Sequence, residues 1–496
     1  MTRITLGIML SLFTAINAQA DTLVEIYERA MRNDPAIMEA EANMMAEMEA
    51  KPQARAIWLP QLDFNAGYDY RTGEGQTQLA GRPAPEQDTT LTGTNWGVSL
   101  SQSILDTANW RALKKADKQV ARASIDYQVA EQDLMIRVSE AYFDVLAAQD
   151  QLASEQAAKD AISRQLEQAE RRFEVGLIAI TDVKEAQAGY DDAVALEIAA
   201  QRALASAKEG LREITGEYPQ TLANPDENLP LIPPSPQIEQ DWVDMSLAQN
   251  LALESAKIGA DITRENIGIA KGDHWPTIGL SANYSDTENE LTDNLNPDPN
   301  ANTTDLENTN SSVGISLNFP IYSGGAVSSR VQEEVYRHRA ARENYERVAR
   351  QTERETRDAY LGVIAEIARV QALARSEDSN QTALEATEAG YDVGTRTTVD
   401  VLNARQSLFL AQTQYARSKY DYLINVLKLK RAAGTLNNGD ITEIDNMLVV
   451  QETLPATPGR GATPDVQLQP GTPTSGGMLE LEEERKASEA DKDSVE

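Results

Sequence analysis

The chain carries one pattern twice. Pro60, Leu62, Phe64, Ala66 and Tyr68 return 216 residues later as Pro276, Ile278, Leu280, Ala282 and Tyr284. Gly97-Val98-Ser99-Leu100 returns as Gly314-Ile315-Ser316-Leu317 at an offset of 217, and Ala141-Tyr142 as Ala359-Tyr360 at 218. Val175-Gly176 with Val393-Gly394, Asp182-Val183 with Asp400-Val401, and Gly216 with Gly434 keep the offset of 218. A nearly constant spacing over so long a stretch means two copies of one structural unit, so the fold has to be built from two like halves.

Each copy holds two strands. Gln61 to Tyr70 alternates, with Leu62, Phe64, Ala66, Tyr68 and Tyr70 on one face and Gln61, Asp63, Asn65, Gly67 and Asp69 on the other. Asn95 to Ile104 sets Trp96, Val98 and Leu100 against Gly97, Ser99 and Ser101. The second copy offers strands near 277–284 and 312–319, the latter with Val313, Ile315, Leu317 and Phe319 against Gly314, Ser316 and Asn318. Period two sends one set outward and one inward. A length near ten residues is what a tilted strand needs to cross a hydrocarbon layer of about 25 Å. The intervening stretches, Arg71 to Gly93 and Ser285 to Asn310, are polar and read as long loops, the second with seven acids and no base. Trp58, Trp96, Trp275, Tyr70 and Tyr322 fall near expected strand ends, where interfacial aromatics sit.

Each copy continues as helix. From residue 105 to 175 there is neither Gly nor Pro, and 326–389 echoes this with Gly362 as its one interruption. Leu113, Ala116, Val120, Ala123, Tyr127, Ala130 and Leu134 are spaced by three and four, the seam of a coiled coil. Val138, Ala141, Val145, Ala148 and Leu152 continue it after an extra step of four, a stutter that locally unwinds a supercoil.

The domain plan follows. Residues 1–20 read as a secretory signal, with Arg3, the apolar stretch Leu6 to Phe13 and the small-residue site Ala18-Gln19-Ala20. The first repeat spans 21–216 and the second 246–446. A Pro-rich linker at 217–245 joins them, with Pro219, Pro225, Pro230, Pro233, Pro234 and Pro236 breaking regular structure. Residues 447–496 read as a disordered acidic tail that includes the run Glu480 to Glu484.

Composition removes several classes. The absence of Cys excludes disulfides and thiolate metal sites. With 78 acidic against 45 basic residues, a formal charge of −33 disfavours nucleic acid, which needs a basic face. The two histidines, His274 and His338, are far apart, and no nucleophile elbow, phosphate loop or paired-histidine motif accompanies them. No enzyme, cofactor or resident metal is expected. What remains is an exported protein, either a soluble coiled-coil scaffold of the periplasm or a β-barrel of the outer membrane.

Read as membrane strands, the four in each chain meet a limit. They cannot close a membrane barrel by themselves, and an open edge in lipid leaves backbone groups unpaired at several kcal/mol each. Identical neighbours must complete it. Two copies give eight strands, filled by their own side chains; three give twelve, wide enough for an aqueous lumen. The expected fold is therefore an α+β membrane protein, mainly α, in which four strands per subunit of a homotrimer form a 12-stranded β-barrel.

Longer runs carry a resemblance. Trp110-Arg111-Ala112-Leu113, Arg172-Phe173-Glu174-Val175-Gly176-Leu177, Ala179-Ile180-Thr181-Asp182-Val183, Pro320-Ile321-Tyr322-Ser323-Gly324-Gly325 and Glu388-Ala389-Gly390-Tyr391-Asp392-Val393-Gly394-Thr395-Arg396-Thr397 resemble the TolC family of outer-membrane channel-tunnels. The likeness spans residues 21 to 446. It implies a trimeric barrel continued by a long α-helical barrel across the periplasm. It also implies an exit duct for tripartite efflux pumps and type I secretion systems, carrying drugs, small molecules and proteins. The implied partners are a periplasmic adaptor (membrane fusion) protein, an inner-membrane translocase of the RND, ABC or MFS class, and outer-membrane lipid. A narrower alternative is a dedicated duct for a single type I protein exporter.

The resemblance also implies a gate at the periplasmic end, opened by untwisting of helix pairs. The turns Val175-Gly176-Leu177 and Val393-Gly394-Thr395 would seat the adaptor. Tyr391 and Arg396 would be tied to Asp182 and Thr181 as a latch. Asp400 would form a carboxylate ring at the constriction, able to take up a blocking cation, while Asn403 stands where the family commonly carries a second Asp.

Overall fold

The structure is a computed structural model, and it describes residues 21–75, 78–79, 82–83, 87–219, 221–225, 229–293 and 303–449. The expected signal, residues 1–20, lies outside the described residues, as does the tail from residue 450 onward. The helices are α1 (Leu23–Asn33), α2 (Pro35–Met48), α3 (Ala50–Ala56), α4 (Thr107–Glu174), α5 (Ile180–Thr215), α6 (Glu239–Gln249), α7 (Leu251–Gly272), α8 (Ala326–Asp392), α9 (Thr398–Ala432) and α10 (Asn438–Asp445). The strands are β1 (Gln61–Gly75), β2 (Gln78–Leu79), β3 (Arg82–Pro83), β4 (Gln87–Leu105), β5 (Asn224–Pro225), β6 (Thr277–Asp293), β7 (Thr303–Asn318) and β8 (Leu448–Val449).

The four long strands form one antiparallel sheet in the order β1-β4-β6-β7. Its register runs the alternation of all four strands together. Leu62, Leu100, Ala282 and Val313 share a row, and Phe64, Val98, Tyr284 and Ser311 share the next on that face. The opposite face reads Gln61, Ser101, Ser281, Gly314 and then Asp63, Ser99, Asn283, Ser312. One face is thus an apolar band and the other is polar. Within the chain nothing covers the band, for Phe64 is 69% exposed and Val313 79%.

The strands are longer than their alternation implies. The segments read as loops, Arg71 to Gly93 and Ser285 to Asn310, are mostly paired strand, from Arg71↔Leu91 to Gly75↔Gln87 and from Ser285↔Asn310 to Thr292↔Thr303. The reason is that backbone pairing continues where the side-chain alternation stops. On the apolar face the rows become Tyr68, Thr94, Glu288, Glu307 and then Tyr70, Thr92, Glu290, Asp305. Trp96 and Tyr70 accordingly lie inside strands, at the upper limit of the apolar band, and not at strand ends. Trp58, Trp275 and Tyr322 do flank the lower ends of the strands.

The helices stack in two parallel constructions, one per repeat. At 68 residues α4 reaches about 100 Å, and α8, at 67, matches it. Both differ a little from expectation: α4 runs Thr107–Glu174, since Leu105 still belongs to β4, and α8 runs on through Gly390 to Asp392. Two shorter pieces run antiparallel along each long helix. Lys159–Glu197 at 2.8 Å fixes α5 beside the distal half of α4. Arg137–Asp34 at 2.5 Å and Lys51–Asp117 at 2.6 Å fix α2 and α3 beside its proximal half. Where α5 stops, Asn33 Nδ2 donates to the Thr215 carbonyl at 2.8 Å, so α5 and α2 follow one another end to end. The second repeat makes the same join: Asn250 Nδ2 donates to the Ala432 carbonyl at 3.0 Å, setting α7 in line with α9.

The main core lies midway along the helices. Leu134, Val138, Tyr142, Phe143 and Leu146 of α4 meet Leu423 and Leu427 of α9, Val363 of α8, Leu23 and Ile26 of α1 and Ile441 of α10. The linker wraps this belt and is not a loose tether. β5 pairs with β8, Asp21 bridges Leu222, and α6 begins inside the expected linker at Glu239. Several of its backbone polar groups, among them Ala223 O, Gln237 O and both groups of Ile232, find partners on the helices. Tyr422 Oη both accepts from Ile232 N at 2.9 Å and donates to Ile232 O at 3.0 Å. The expected tail therefore starts slightly late, since Leu448–Val449 is paired strand.

Candidate gate at the paired helix ends

The far end of each long helix is a turn built from its own backbone. Gly176, with φ of 76°, and Gly394, also 76°, sit in the left-handed region that favours glycine. Gly176 N donates to Phe173 O at 2.8 Å and Leu177 N to Arg172 O at 2.9 Å. Gly394 N and Thr395 N repeat this toward Tyr391 O at 3.0 Å and Gly390 O at 2.9 Å. These bonds satisfy the last carbonyls of α4 and α8 and reverse the chain. Val175, Leu177 and Val393 are then left 70%, 74% and 75% exposed. Three aliphatic side chains held out on tight turns, with Gly176 and Gly394 open around them, make a repeated apolar tip.

Each helix pair next to these turns has its own small core. Ala169, Val183 and Ala186, with Leu166 and Ile178, hold α4 to α5. Leu384, Val401 and Leu408, with Tyr391 and Ala404, hold α8 to α9. Between the two pairs at this end, Leu402 of α9 lies against Gly189 of α5, where a Cβ would come within 3.3 Å of Leu402 Cδ1, and polar contacts accompany it. Arg172 stacks its guanidinium 4.8 Å from the Tyr391 ring centre and reaches Asp392 at 3.7 Å. Gln165 Nε2 donates to Thr398 O at 3.4 Å, while Gln165 Oε1 is buried without a partner. A stacked cation at an exposed site is worth about 0.5–1 kcal/mol.

The expected latch residues sort as follows. Tyr391 Oη accepts from Thr398 Oγ1 at 3.5 Å and carries Arg172 on its ring. Arg396 packs against Gly390, a Cβ at which would come within 2.8 Å of Arg396 Cγ. Asp182 is half-buried in the first turn of α5, and Thr181 beside it is exposed. Among the described residues no hydrogen bond or ion pair of this single chain joins Tyr391 or Arg396 to Asp182 or Thr181. Arg172, by contrast, was not singled out from sequence as a partner of Tyr391. Its signal was only a basic residue in the last turn of α4.

Asp400 closes a capping box at the start of α9. Its Oδ2 accepts from Thr397 N at 2.9 Å and from Thr397 Oγ1 at 3.0 Å, and its own N–H donates to Thr397 Oγ1 at 3.2 Å. The Thr397 backbone N–H, then its hydroxyl, hold the Asp400 carboxyl below the usual carboxylate range. Asn403 is exposed one turn on, with no charge to add. The residue that closes the box is also the one expected to carry the carboxylate ring.

A sheet with one apolar face, carried on helical stems several times longer than a globular helix, defines a membrane-anchored channel subunit. Among the described residues no helix is long and apolar enough to cross a membrane. The comparisons give the family. Residues 26–217 and 242–435 match the model for outer membrane efflux proteins. The outer membrane protein TolC of Escherichia coli (strain K12) is 36% identical over 470 residues, 93% of this chain and 93% of that one. The alkaline protease secretion protein AprF of Pseudomonas aeruginosa is 28% identical over 435 residues, 87% of this chain and 88% of its own. The solved outer membrane protein VceC of Vibrio cholerae has the same fold, with a TM-score of 0.64 at 20% identity over 83% of this chain and 96% of that chain. The chain belongs to the outer membrane efflux protein family, and its place is the outer membrane. The soluble scaffold is thereby set aside, and the family is one of channels, not enzymes.

Proposed function

We propose that three copies of the chain form one duct, in which a 12-stranded β-barrel opens into an α-helical barrel that reaches across the periplasm. The observation that carries this is the pair of open edges. β1 and β7 bound the sheet, and each has a partner on one side only. Along an apolar band in lipid, the free side would leave its N–H and C=O groups unpaired at several kcal/mol each. Pairing β7 of one copy with β1 of the next removes every edge. The mass of the solubilised complex tests it: three chains and a stable current step in planar bilayers are expected, and a monomer without current would overturn it.

The duct serves as the exit for efflux pumps and for type I secretion, receiving cargo from an inner-membrane RND, ABC or MFS translocase through a periplasmic adaptor. The relatives support both cargoes, one named for efflux as a family and one for protease secretion. The aliphatic tips Val175, Leu177 and Val393, with Gly176, Gly394 and Thr395, are the adaptor's seat. The α8–α9 pair moves against the α4–α5 pair to open the duct. That division is supported by the separate cores of the two pairs. Tyr391 and Arg396 on one pair, with Asp182 and Thr181 on the other, are the latch of the assembled closed state, and Asp400 lines its constriction. Deleting the gene and measuring both antibiotic susceptibility and secreted protein tests the breadth of cargo. Loss of secretion alone would favour the narrower exporter.

A further inference from the structure

We propose that the α3–α4 seam directly beneath the sheet binds the phosphate headgroup of an anionic phospholipid, in the leaflet on the helical side of the outer membrane. The two helices run antiparallel and face one another in rungs. The lower rung is the Lys51–Asp117 ion pair at 2.6 Å. The upper rung is Trp58 against Trp110, edge to face with ring centres 4.8 Å apart. At helical spacing between them stand Arg55 on one side and Lys114 on the other. The middle rung therefore holds two exposed cations, and among the described residues neither side chain has a hydrogen-bonded or ion-paired partner. Like charges set across from each other repel, and an anion between them relieves the repulsion.

The surroundings say which anion. Gln102 Nε2 donates to Trp58 O at 3.2 Å, fastening the seam to the foot of β4. Trp110 is 57% exposed, and Ile57, Leu59, Ile104 and Leu105 are exposed around it. An apolar surface with tryptophans at its margin and cations one turn below is the profile of a membrane interface, where acyl chain, glycerol and phosphate follow in that order. Arg presents a planar fork suited to phosphate and Lys a point charge. The second repeat provides a control within the molecule. There the residue equivalent to Arg55 is Lys271, while Lys114 corresponds to Val331 or Gln332 at offsets of 217 or 218. Its basic residue Arg330 is already paired with Asp273 at 2.6 Å. The cation pair belongs to the first repeat alone.

The test uses the purified full chain in detergent, incubated with phosphatidylglycerol or phosphatidylcholine of matched acyl chains and examined by native mass spectrometry. Two cations predict preferential retention of phosphatidylglycerol by roughly tenfold or more. R55Q/K114Q brings it down to the phosphatidylcholine level. K114E, which supplies Arg55 with an internal anion, does the same while leaving the protein folded; R330Q leaves retention unchanged. Retention that survives both R55Q/K114Q and K114E overturns the proposal. Displacement of the lipid by millimolar inorganic phosphate overturns the lipid assignment in favour of a free-phosphate site. Loss of chain association in K114E, with lipid still retained, would make the rung a seam between subunits and overturn it too. The proposal rests on the sheet lying in the outer membrane. Recovery of wild type and variants in the outer-membrane fraction keeps failure of this site distinct from failure of that reading.

Discussion

Tyr142 and Tyr360, 218 residues apart, hold the two halves of the molecule to the segment that joins them. Tyr142 Oη donates to the Ala223 carbonyl at 2.8 Å, and Tyr360 Oη to the Gln237 carbonyl at 2.6 Å. Tyrosines at corresponding positions of α4 and α8 thus clasp the segment between them at two points, Ala223 and Gln237. They differ in burial. Tyr142 is fully buried, and burial pushes its phenol well above the ordinary range, so it acts as a permanent donor.

Removing the hydroxyls should separate the two. Y142F leaves the Ala223 carbonyl buried without its donor and is expected to cost about 1–2 kcal/mol, whereas Y360F, at a wetter site, costs about 0.5–1 kcal/mol. Thermal melting followed by circular dichroism gives the ranking. A larger loss in Y360F would contradict this account of the belt.

Two other duplicated residues differ more sharply. Gly216 and Gly434 both lie at positive φ, 79° and 75°, after α5 and α9. A Cβ at Gly216 would meet nothing closer than 3.6 Å, while one at Gly434 would come within 2.3 Å of the Gln249 carbonyl oxygen. G216A is therefore expected to cost about 1 kcal/mol, the strain of the left-handed conformation. G434A adds a backbone collision and should lower the melting temperature far more. Equal effects would show that the second join is not as tight as described.

How much of this was legible in the chain depends on the range of the interaction. The repeat, the four strands and the two long helices follow from local pattern, because alternation and uninterrupted helical spacing are written residue by residue. The strands were cut short at Tyr70 and Tyr284, since Thr92, Glu290 and Asp305 extend the ladder by backbone pairing alone. Pro219 to Pro236 marked a break correctly but concealed its packing. Tyr142 and Tyr422 grip it from helices 81 and 190 residues distant in sequence. At the gate, Gly176 and Gly394 announced the turns. The pairing of Arg172 with Tyr391 spans two repeats and has no local signature.

The latch predicts an opening phenotype. If Tyr391 and Arg396 hold the helix pairs closed, each charge-assisted bond contributes about 1.5–3 kcal/mol before solvent screening, and exposure reduces this. Single-channel conductance of Y391F/R396S in planar bilayers is expected to rise several-fold above wild type. R172Q, which removes the stacked guanidinium, should add a smaller increase. Conductance unchanged in the double variant would remove the latch from these residues.

Asp150 offers a pH dependence of stability. Burial raises its carboxyl above the usual range, against the opposing hydrogen bond from Tyr420 Oη at 2.5 Å and the charge of Lys419. A carboxyl raised on folding binds its proton more tightly in the native state. Stability from this group therefore grows as pH falls through the raised value toward the ordinary one, and is lost as pH rises. D150N keeps an acceptor for Tyr420 and abolishes the burial of charge. Its melting temperature should equal or exceed wild type at neutral pH and vary less between pH 7 and the ordinary carboxylate range. A steeper dependence in D150N would reverse the assignment.

The constriction predicts how the duct responds to multivalent cations. Three Asp400 carboxylates would make one charged ring, with Asn403 providing an uncharged one beneath it. Block by a trivalent ion should be weak in wild type, stronger by an order of magnitude or more in N403D, and absent in D400A. The pH profile distinguishes the two rings. Because Thr397 donates two hydrogen bonds to Asp400, its carboxylate holds its charge to lower pH than a ring carboxylate without those donors, so the wild-type block outlasts that of such a carboxylate as pH falls. A carboxylate introduced at 403 lies outside the capping box and lacks those donors. N403D should therefore lose its additional block first, at higher pH, leaving the wild-type component to disappear later. T397V removes the hydroxyl donor while keeping the backbone one, and should move the wild-type step partway up. Titration of current against a trivalent ion at several pH values measures all three. Tight, nanomolar block in wild type, or a single shared pH step in N403D, would show that Asp400 does not stand alone at the narrowest point.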